Sequence, residues 1–321
     1  MHIPVLKNEV LKFLRVKPGQ VIVDATFGEG GHARAILEQL ADVAGRERAA
    51  HAGPGKLIGL DRDPQAIDAA THKFAKEIAA GRLVLVQARF SELANVLQSL
   101  SHPSVDGIVM DLGVSTQQIL SPTRGFSFLS DAPLDMRMDP QEDFTAARLL
   151  VEWDERQLVD LFRLAGEQRF ARRLARAIVL SRRQQPLQTT KQLAELVERT
   201  IPAAARRSSK HVATRVFLGL RMAVNHELEE IERGLAAAVH SLEPGARLAV
   251  ITFHSLEDGL VKRAFKRWAS DCICDPELPI CQCDHRQLVT LVTRKPVTPT
   301  ATEIARNPRS RSAKLRIVEH I

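Results

Sequence analysis

Up to Asp111 the chain alternates short apolar runs with longer stretches of helical period. Val5, Leu6, Val10, Leu11 and Leu14 share one face of a predicted helix over 4–14, and Lys17-Pro18-Gly19-Gln20 forms a turn after it. Strands are predicted at 21–24, 57–60, 83–87 and 105–110, all rich in Val, Ile or Leu. Helices are predicted from about Gly31 to Val43 and from Pro64, whose ring suits a first helical turn. Residues 44–56 read as an exposed loop. Strands alternating with helices predict a parallel α/β sheet whose ligand site lies at the carboxyl ends of its strands. Asp24, Asp61 and Asp111 stand at three of those ends, and Phe90 lies just past a fourth.

Beyond Asp111 the pattern changes. Residues 114–140 are loop-like, and 145–199 are helical throughout, which predicts a helical insert in the α/β domain. The expected division is 1–120 with 211–321 as one discontinuous domain and 121–210 as the insert. A further helix runs from about Val212 to a turn at Glu243-Pro244-Gly245, ahead of a fifth strand at 247–253. Ser255-Leu256-Glu257-Asp258 fits a capping box opening a helix. A last strand at 314–318 is placed at the edge of the sheet.

The richest stretch is VIVDATFGEGGHAR, Val21 to Arg34. A strand ends in a carboxylate, a turn with three glycines follows, and a helix begins near His32. Glycines let the backbone approach a ligand, and the N–H groups of the helix start favour a negative group. Gly28-x-Gly30-x-x-Ala33 satisfies the looser dinucleotide fingerprint, but Asp61 comes about 30 residues after the loop where that site has its acid about 20 on. Asp61 suits the two ribose hydroxyls of either NAD or an adenosyl cofactor, because a carboxylate accepts two hydrogen bonds at once. Its alternative role is to cap the next helix. Asp24 reads as an organiser of the loop, His32 as a cofactor donor or a polar surface residue, and Phe90 as an adenine platform or core. Asp111, followed by Gly113, Ser115 and Thr116, belongs in a reaction cleft. No histidine acid stands out in the stretch after Asp111, where a dehydrogenase would need a proton donor, which lowers the hydride-transfer reading. His254-Ser255-x-x-Asp258 is no hydrolase triad, since neighbours at a helix start cannot wrap around one another and no G-x-S-x-G elbow exists.

Composition narrows the classes further. The 321 residues are 45% hydrophobic and 26% charged, an ordinary globular balance. No apolar run is long enough to span a bilayer, and the N-terminus lacks a secretory pattern, so the expected location is the cytoplasm, with no membrane partner. A formal net charge of +7 suits a polyanionic partner without establishing one. Arg163, Arg169, Arg172, Arg173, Arg176, Arg182 and Arg183 crowd one stretch of the insert, followed by Arg206, Arg207 and Lys210, so the insert is a candidate RNA-recognition domain, or a solvated helix face. The absence of Tyr and the 4% aromatic content count against a base-stacking platform and favour charge and a single-base pocket. All four cysteines fall together as Cys272, Cys274, Cys281 and Cys283, with His285 as a spare ligand. They read as a structural zinc clip, as two disulfides, or as a loop of reduced thiols.

HIPVLKNEV, DATFGEGGHA, GLDRDPQAI, DLGVSTQQ, RGFSF, PLDMRMD, GEQRFARRLARAI, ATRVF, LRMAVNHEL, TFHSLED and NPRSRSAKLR follow one another across nearly the whole chain. In that order they resemble the blocks of the RsmH (MraW) family, bacterial enzymes that methylate N4 of a cytosine in 16S ribosomal RNA. The resemblance implies a Rossmann-like class I methyltransferase sheet with an inserted all-helical domain, S-adenosyl-L-methionine as cofactor, and 16S rRNA in the small ribosomal subunit as partner. It implies cofactor contacts at Gly30, Gly31, His32, Asp61, Phe90, Asp111 and Gln118, the last of which no pattern in the residues singles out. Methyl transfer to a cytosine amino group needs an acceptor on its N–H, and Asp111 is the candidate catalytic residue, with cofactor contact alone as the alternative. Arg137, Arg221 and His254, polar residues of the family's motifs, are candidates for holding RNA or for a structural role. Thr116-Gln117 stands where the family tends to have Ser-Pro, and Ala246 where it has Gly. The oligomeric state stays open, a homodimer included. An NAD-dependent oxidoreductase and a non-catalytic RNA-binding protein of the same fold are the competing readings.

Overall fold

A computed structural model describes residues 4–41, 55–206, 212–275, 278 and 280–321. Its elements in chain order are α1 (Lys7–Leu14), β1 (Val21–Asp24), α2 (Gly31–Ala41), β2 (Lys56–Asp61), α3 (Pro64–Lys73), α4 (Ala75–Ala79), β3 (Leu83–Gln87), α5 (Leu93–Ser99), β4 (Val105–Asp111), α6 (Thr116–Leu120), α7 (Ala146–Glu152), α8 (Glu155–Leu164), α9 (Ala171–Gln184), α10 (Thr190–Thr200), α11 (Ala213–Val224), α12 (Glu227–His240), β5 (Leu242–Thr252), α13 (Ser255–Trp268), β6 (Val289–Leu291), α14 (Ala301–Arg306) and β7 (Lys314–His320). They fall into two compact units, Met1–Gly113 with Leu228–Ile321, and Val114–Glu227. The second is wider at both ends than the 121–210 of the sequence expectation.

The first unit is built on one seven-stranded sheet in the order β3-β2-β1-β4-β5-β7-β6. Strands β1 to β5 are parallel, and β7 runs antiparallel to both β5 and β6. The expected Rossmann-like sheet is therefore present. Alternate residues feed opposite faces, as a strand's two-residue period requires. Ile22, Leu57, Val109 and Ile251 join α1 and α2 in one apolar layer. Val23, Ile58, Ile108 and Val250 join α5, α12 and α13 in the other. Burial on both faces is why these strands read as continuous apolar runs.

The second unit encloses its own core of Leu149, Leu158, Phe162, Leu174, Ile178, Leu193, Val197 and Leu220. Polar residues set its helix starts. Asp154 and Gln157 exchange hydrogen bonds across the first turn of α8, and Thr189 and Gln192 do so for α10, each satisfying N–H groups the helix leaves open.

Five expectations are corrected. The terminal strand β7 is not at the edge, because the three-residue β6 pairs along its outer side. The helix expected from Val212 to Glu243 is two helices. Between them the amide of buried Asn225 donates to the carbonyls of Met136 and Arg221 and accepts from Met138 N–H, and His226 takes a left-handed φ of 50°. Glu243-Pro244-Gly245 is no simple turn before a strand. β5 pairs from Leu242 onward, and the register against β4 jumps from Leu242 to Arg247, so the intervening residues bulge outward. The cap of α13 lies one residue earlier than expected, at His254, whose N–H is accepted by Glu257 along with that of Phe253. Within 114–140, read as loop, α6 forms a short helix. The expected loop over 44–56 lies mostly outside the described residues, as do Arg207 and Lys210.

One ionic cluster ties α13 to β7. Asp258 accepts from Arg316 Nε at 2.7 Å and from Lys314 Nζ at 2.9 Å. Burial opposes its charge, but the two cations prevail and hold its carboxyl below the usual carboxylate range. Asp258→Asn is expected to cost about 2 kcal/mol, less than the about 3–5 kcal/mol of a fully buried pair because the Lys314 side chain keeps partial contact with water. A lowered folded pKa contributes stability above the unfolded value of about 4 and loses it as pH falls through the folded one. Urea unfolding at pH 7 and at pH 3 checks this. The gap between the two proteins narrows toward the acidic end, and a constant gap would refute the ionic origin.

Candidate active site

The loop from β1 to α2 is held at the strand tips by hydrogen bonds to its neighbours on both sides. Gly28 N–H donates to Asp61 Oδ2 at 2.7 Å, which ties the loop to the end of β2. Asp111 N–H donates to Thr26 Oγ1 at 2.6 Å, which ties it to the end of β4. Phe27 N–H donates to the Leu60 carbonyl at 2.8 Å. Phe27 turns its ring back over Gly59, where a Cβ would stand 2.3 Å from it, and meets Phe74 edge-on at 5.5 Å. Gly30 sits on these two rings at a φ of 70°, a left-handed conformation in which any Cβ would come within 2.5 Å of Phe74.

On this frame the acids converge. Asp24 is buried, and its Oδ1 accepts from Thr26 N–H at 3.2 Å, the loop-organising bond expected of it. Burial pushes its carboxyl up to about 7, against the pull of His32 and of that N–H. Asp61 accepts from Asp63 N–H at 2.9 Å on its other oxygen, and burial pushes it up to about 6. Asp63, not Asp61, caps α3, by accepting from Gln65 N–H. His32 is buried on the first turn of α2, so it is no surface residue. Its Nε2 lies 3.6 Å from Asp111 Oδ2, an ion-pair distance longer than a hydrogen bond. Burial works against its charged form, but Asp111 and then Asp24 outweigh burial and raise its pKa above the ordinary value.

Two buried polar atoms here make no hydrogen bond within the protein, His32 Nε2 and Asp111 Oδ1. Native interiors leave few such groups, since each costs about 1–3 kcal/mol. A cationic or hydrogen-bonding ligand at the tips of β1 and β4 would satisfy both. The donor set fits an adenosyl cofactor with a sulfonium and an amino-acid tail. Asp24 and Asp111 act on His32, Asp61 ends the neighbouring strand, and N–H groups line the glycine turn.

The other expected residues are placed as follows. Gly31 starts α2 with its Cα against Pro4. Phe90, half-buried after β3, lays its ring on α12 where Gly234 leaves room, since a Cβ there would stand 2.2 Å from it. Gln118 belongs to the helical unit, where it and Ser115 exchange hydrogen bonds across the start of α6. Arg137 pairs with Asp135 through Nε and Nη2 and donates to the carbonyls of Pro140 and Glu142 within its own loop. Arg221 is bidentate to Glu227, both bonds at 2.7 Å. His254 Nε2 lies 2.9 Å from Glu257 Oε1. Of the arginine-rich stretch, Arg169, Arg172, Arg173, Arg176 and Arg183 are exposed, while Arg182 donates to the carbonyls of Leu150 and Trp153 at the end of α7. The four cysteines are free thiols, with the closest sulfurs 3.4 Å apart, so the disulfide reading fails. His285 is not their fifth neighbour, because its Nε2 bonds the Arg267 carbonyl at 2.8 Å.

Sequence reading missed Thr26, whose hydroxyl joins two strand tips, and Phe27 with Phe74, the floor beneath Gly30. Gly59 was the available signal, since a lone glycine inside an apolar strand marks a close approach. Among the described residues no helix is long and apolar enough to cross a membrane.

A family model described as the MraW methylase family matches residues 1–321. A protein of Symbiobacterium thermophilum named ribosomal RNA small subunit methyltransferase H is 47% identical over 317 residues, covering 99% of this chain and 96% of that one. A protein of the same name from Thermomicrobium roseum is 48% identical over 320 residues, covering 100% and 94%.

Proposed function

For a chain that belongs to the MraW methylase family, we propose the following reaction: S-adenosylmethionine-dependent methylation of ribosomal RNA of the small subunit, at N4 of a cytosine in the 16S molecule, carried out in the cytoplasm. The observation that carries it is the pair of buried atoms that make no hydrogen bond within the protein, His32 Nε2 and Asp111 Oδ1, set beside Asp61 at the strand tips.

When bound, the cofactor supplies a methyl group on a positively charged sulfur. Asp61 binds the ribose hydroxyls with the lone pairs that Gly28 and Asp63 leave open. Gly30, Gly31 and His32 receive the amino-acid tail, and Phe90 packs on the adenine. A cytosine amino group is a poor nucleophile, because its lone pair is delocalised into the ring. Asp111 would accept an N–H from it, which would orient the nitrogen, raise its electron density and take up the proton released as the methyl passes from sulfur to nitrogen and leaves a neutral thioether. Asp24 stays behind the loop and adds negative potential. Arg137, Arg221 and His254 hold the RNA, with the neighbouring carboxylates of Asp135, Glu227 and Glu257 setting their orientation. The exposed arginines of α9 and the turn before it meet the RNA backbone.

Labelled cofactor and small subunits from a strain lacking this gene test the reading. Mass spectrometry of the 16S RNA is expected to find one new methyl on a cytosine amino group. Subunits that stay unlabelled would defeat it. A chain that binds NADH and not S-adenosylhomocysteine would favour the oxidoreductase.

A pH dependence follows from the raised acids. Asp24 and Asp61 gain their charges as pH climbs through about 7 and about 6. The sulfonium of S-adenosylmethionine feels those charges, and neutral S-adenosylhomocysteine lacks it. The ratio of the two affinities, measured by calorimetry, is expected to move about tenfold in favour of the methylated cofactor between pH 5.5 and 7.5. Loss of the His32 proton as pH rises removes a positive charge and acts on the sulfonium in the same direction, while contributions common to both ligands cancel in the ratio. A flat ratio would place the sulfonium away from the acids.

A further inference from the structure

The segment joining α13 to β6, residues 269–288, contains no helix or strand among its described residues. It also lacks a core, because Ile273, Leu278 and Ile280 are all exposed. Unstructured connections of this length are uncommon in compact domains and need some other source of order. Between its two C-x-C pairs, Leu278 N–H donates to the Asp275 carbonyl at 3.0 Å.

The four sulfurs lie within 4.8 Å of one another. Cys272 Sγ is 3.4 Å from Cys281 Sγ and 3.7 Å from Cys283 Sγ, Cys281 and Cys283 are 3.6 Å apart, and Cys274 and Cys281 are 4.0 Å apart. Four thiolates at about 2.3 Å from one ion form a tetrahedron with edges of about 3.8 Å. The observed separations scatter around that value. Disulfides would need about 2.05 Å, and an iron–sulfur cluster would spread its ligands over two or more metals. Backbone N–H groups supply an outer layer. Ile273 N–H points at Cys283 Sγ (3.5 Å), Cys274 N–H at Cys272 Sγ (3.4 Å) and Gln282 N–H at Cys274 Sγ (3.3 Å). Donors of this kind stabilise metal-bound thiolate and orient it. Leu288 N–H to the Trp268 carbonyl, with His285 on Arg267, fixes the two ends of the segment to α13.

We propose that Cys272, Cys274, Cys281 and Cys283 bind a single zinc ion that takes the place of a hydrophobic core for this segment. On binding, each thiol releases its proton and coordinates as thiolate, with no change of oxidation state. The site has no open position, so its role is structural. It stands on residues separate from the strand tips and is independent of the methylation reading.

The full chain, purified without chelator, is expected to carry one zinc and no iron by elemental analysis. Its four thiols are expected to resist a thiol reagent until a mercurial releases the metal, with one zinc freed per chain. Cobalt in place of zinc is expected to give the intense red-region absorption of a tetrahedral thiolate site. Chelation by phenanthroline is expected to speed tryptic cleavage within 269–288 by about tenfold. Cys281→Ser is expected to abolish stoichiometric zinc. Should that variant fail to fold, the metal content and thiol titration of the unaltered chain still decide. Four thiols that react at once in a metal-free chain that takes up no added zinc would overturn the proposal. So would iron in the site, or two disulfides in protein taken directly from cells.

Discussion

Asp111→Ala is expected to lower methyl transfer to the small subunit by about a thousandfold while the chain stays folded, within the range for losing a group that orients a proton in the transition state. The side chain ends β4 with one buried oxygen making no hydrogen bond within the protein and the other 3.6 Å from His32. Its backbone N–H, which ties the strand tip to Thr26, survives the substitution, so the loop keeps its frame. Single-turnover rates at saturating cofactor separate the two roles open to this residue. If it acts on the amino group, the loss persists at saturation. If it only touches the cofactor, raising the concentration restores the rate. Asp111→Asn keeps an acceptor oxygen and is expected to fall between the two. Retention of most activity at saturation would remove Asp111 from the chemistry.

Asp61→Ala is expected to weaken S-adenosylhomocysteine binding by about a hundredfold or more, since two hydrogen bonds to a charged group are each worth about 1.5–3 kcal/mol. The carboxylate also holds Gly28 N–H and Asp63 N–H, so the glycine turn loosens with it. Calorimetry measures the loss directly, and circular dichroism checks that the sheet is intact. An affinity within threefold of the unaltered chain would show that the ribose is held elsewhere.

Much of the α/β unit was legible in the residues, for a physical reason. Strands buried on both faces are unbroken apolar runs, so β1 to β4 stand out, and Asp24, Asp61 and Asp111 end three of them. β6 was not legible, because three residues carry no period, and that omission put β7 at the edge. The break after α11 was hidden too. It depends on Asn225 reaching a loop nearly 90 positions earlier, and nothing local to 225 announces that. The same holds in the site. The acids were readable from their positions, but Thr26 matters through a contact with Asp111 85 residues away. Gln118 came only from the family's motif. The cysteines were conspicuous, but spacing left zinc, disulfides and free thiols open until the sulfur separations removed the disulfides.

A crystal structure of the chain with S-adenosylhomocysteine tests the central claim most directly. The expected result is density across the tips of β1, β2 and β4, with both ribose hydroxyls on Asp61, the amino-acid tail against Gly30, Gly31 and His32, and Asp111 Oδ1 facing the sulfur side of the ligand. A ligand bound elsewhere on the chain, or strand tips closed by the protein's own side chains at saturating ligand, would contradict it.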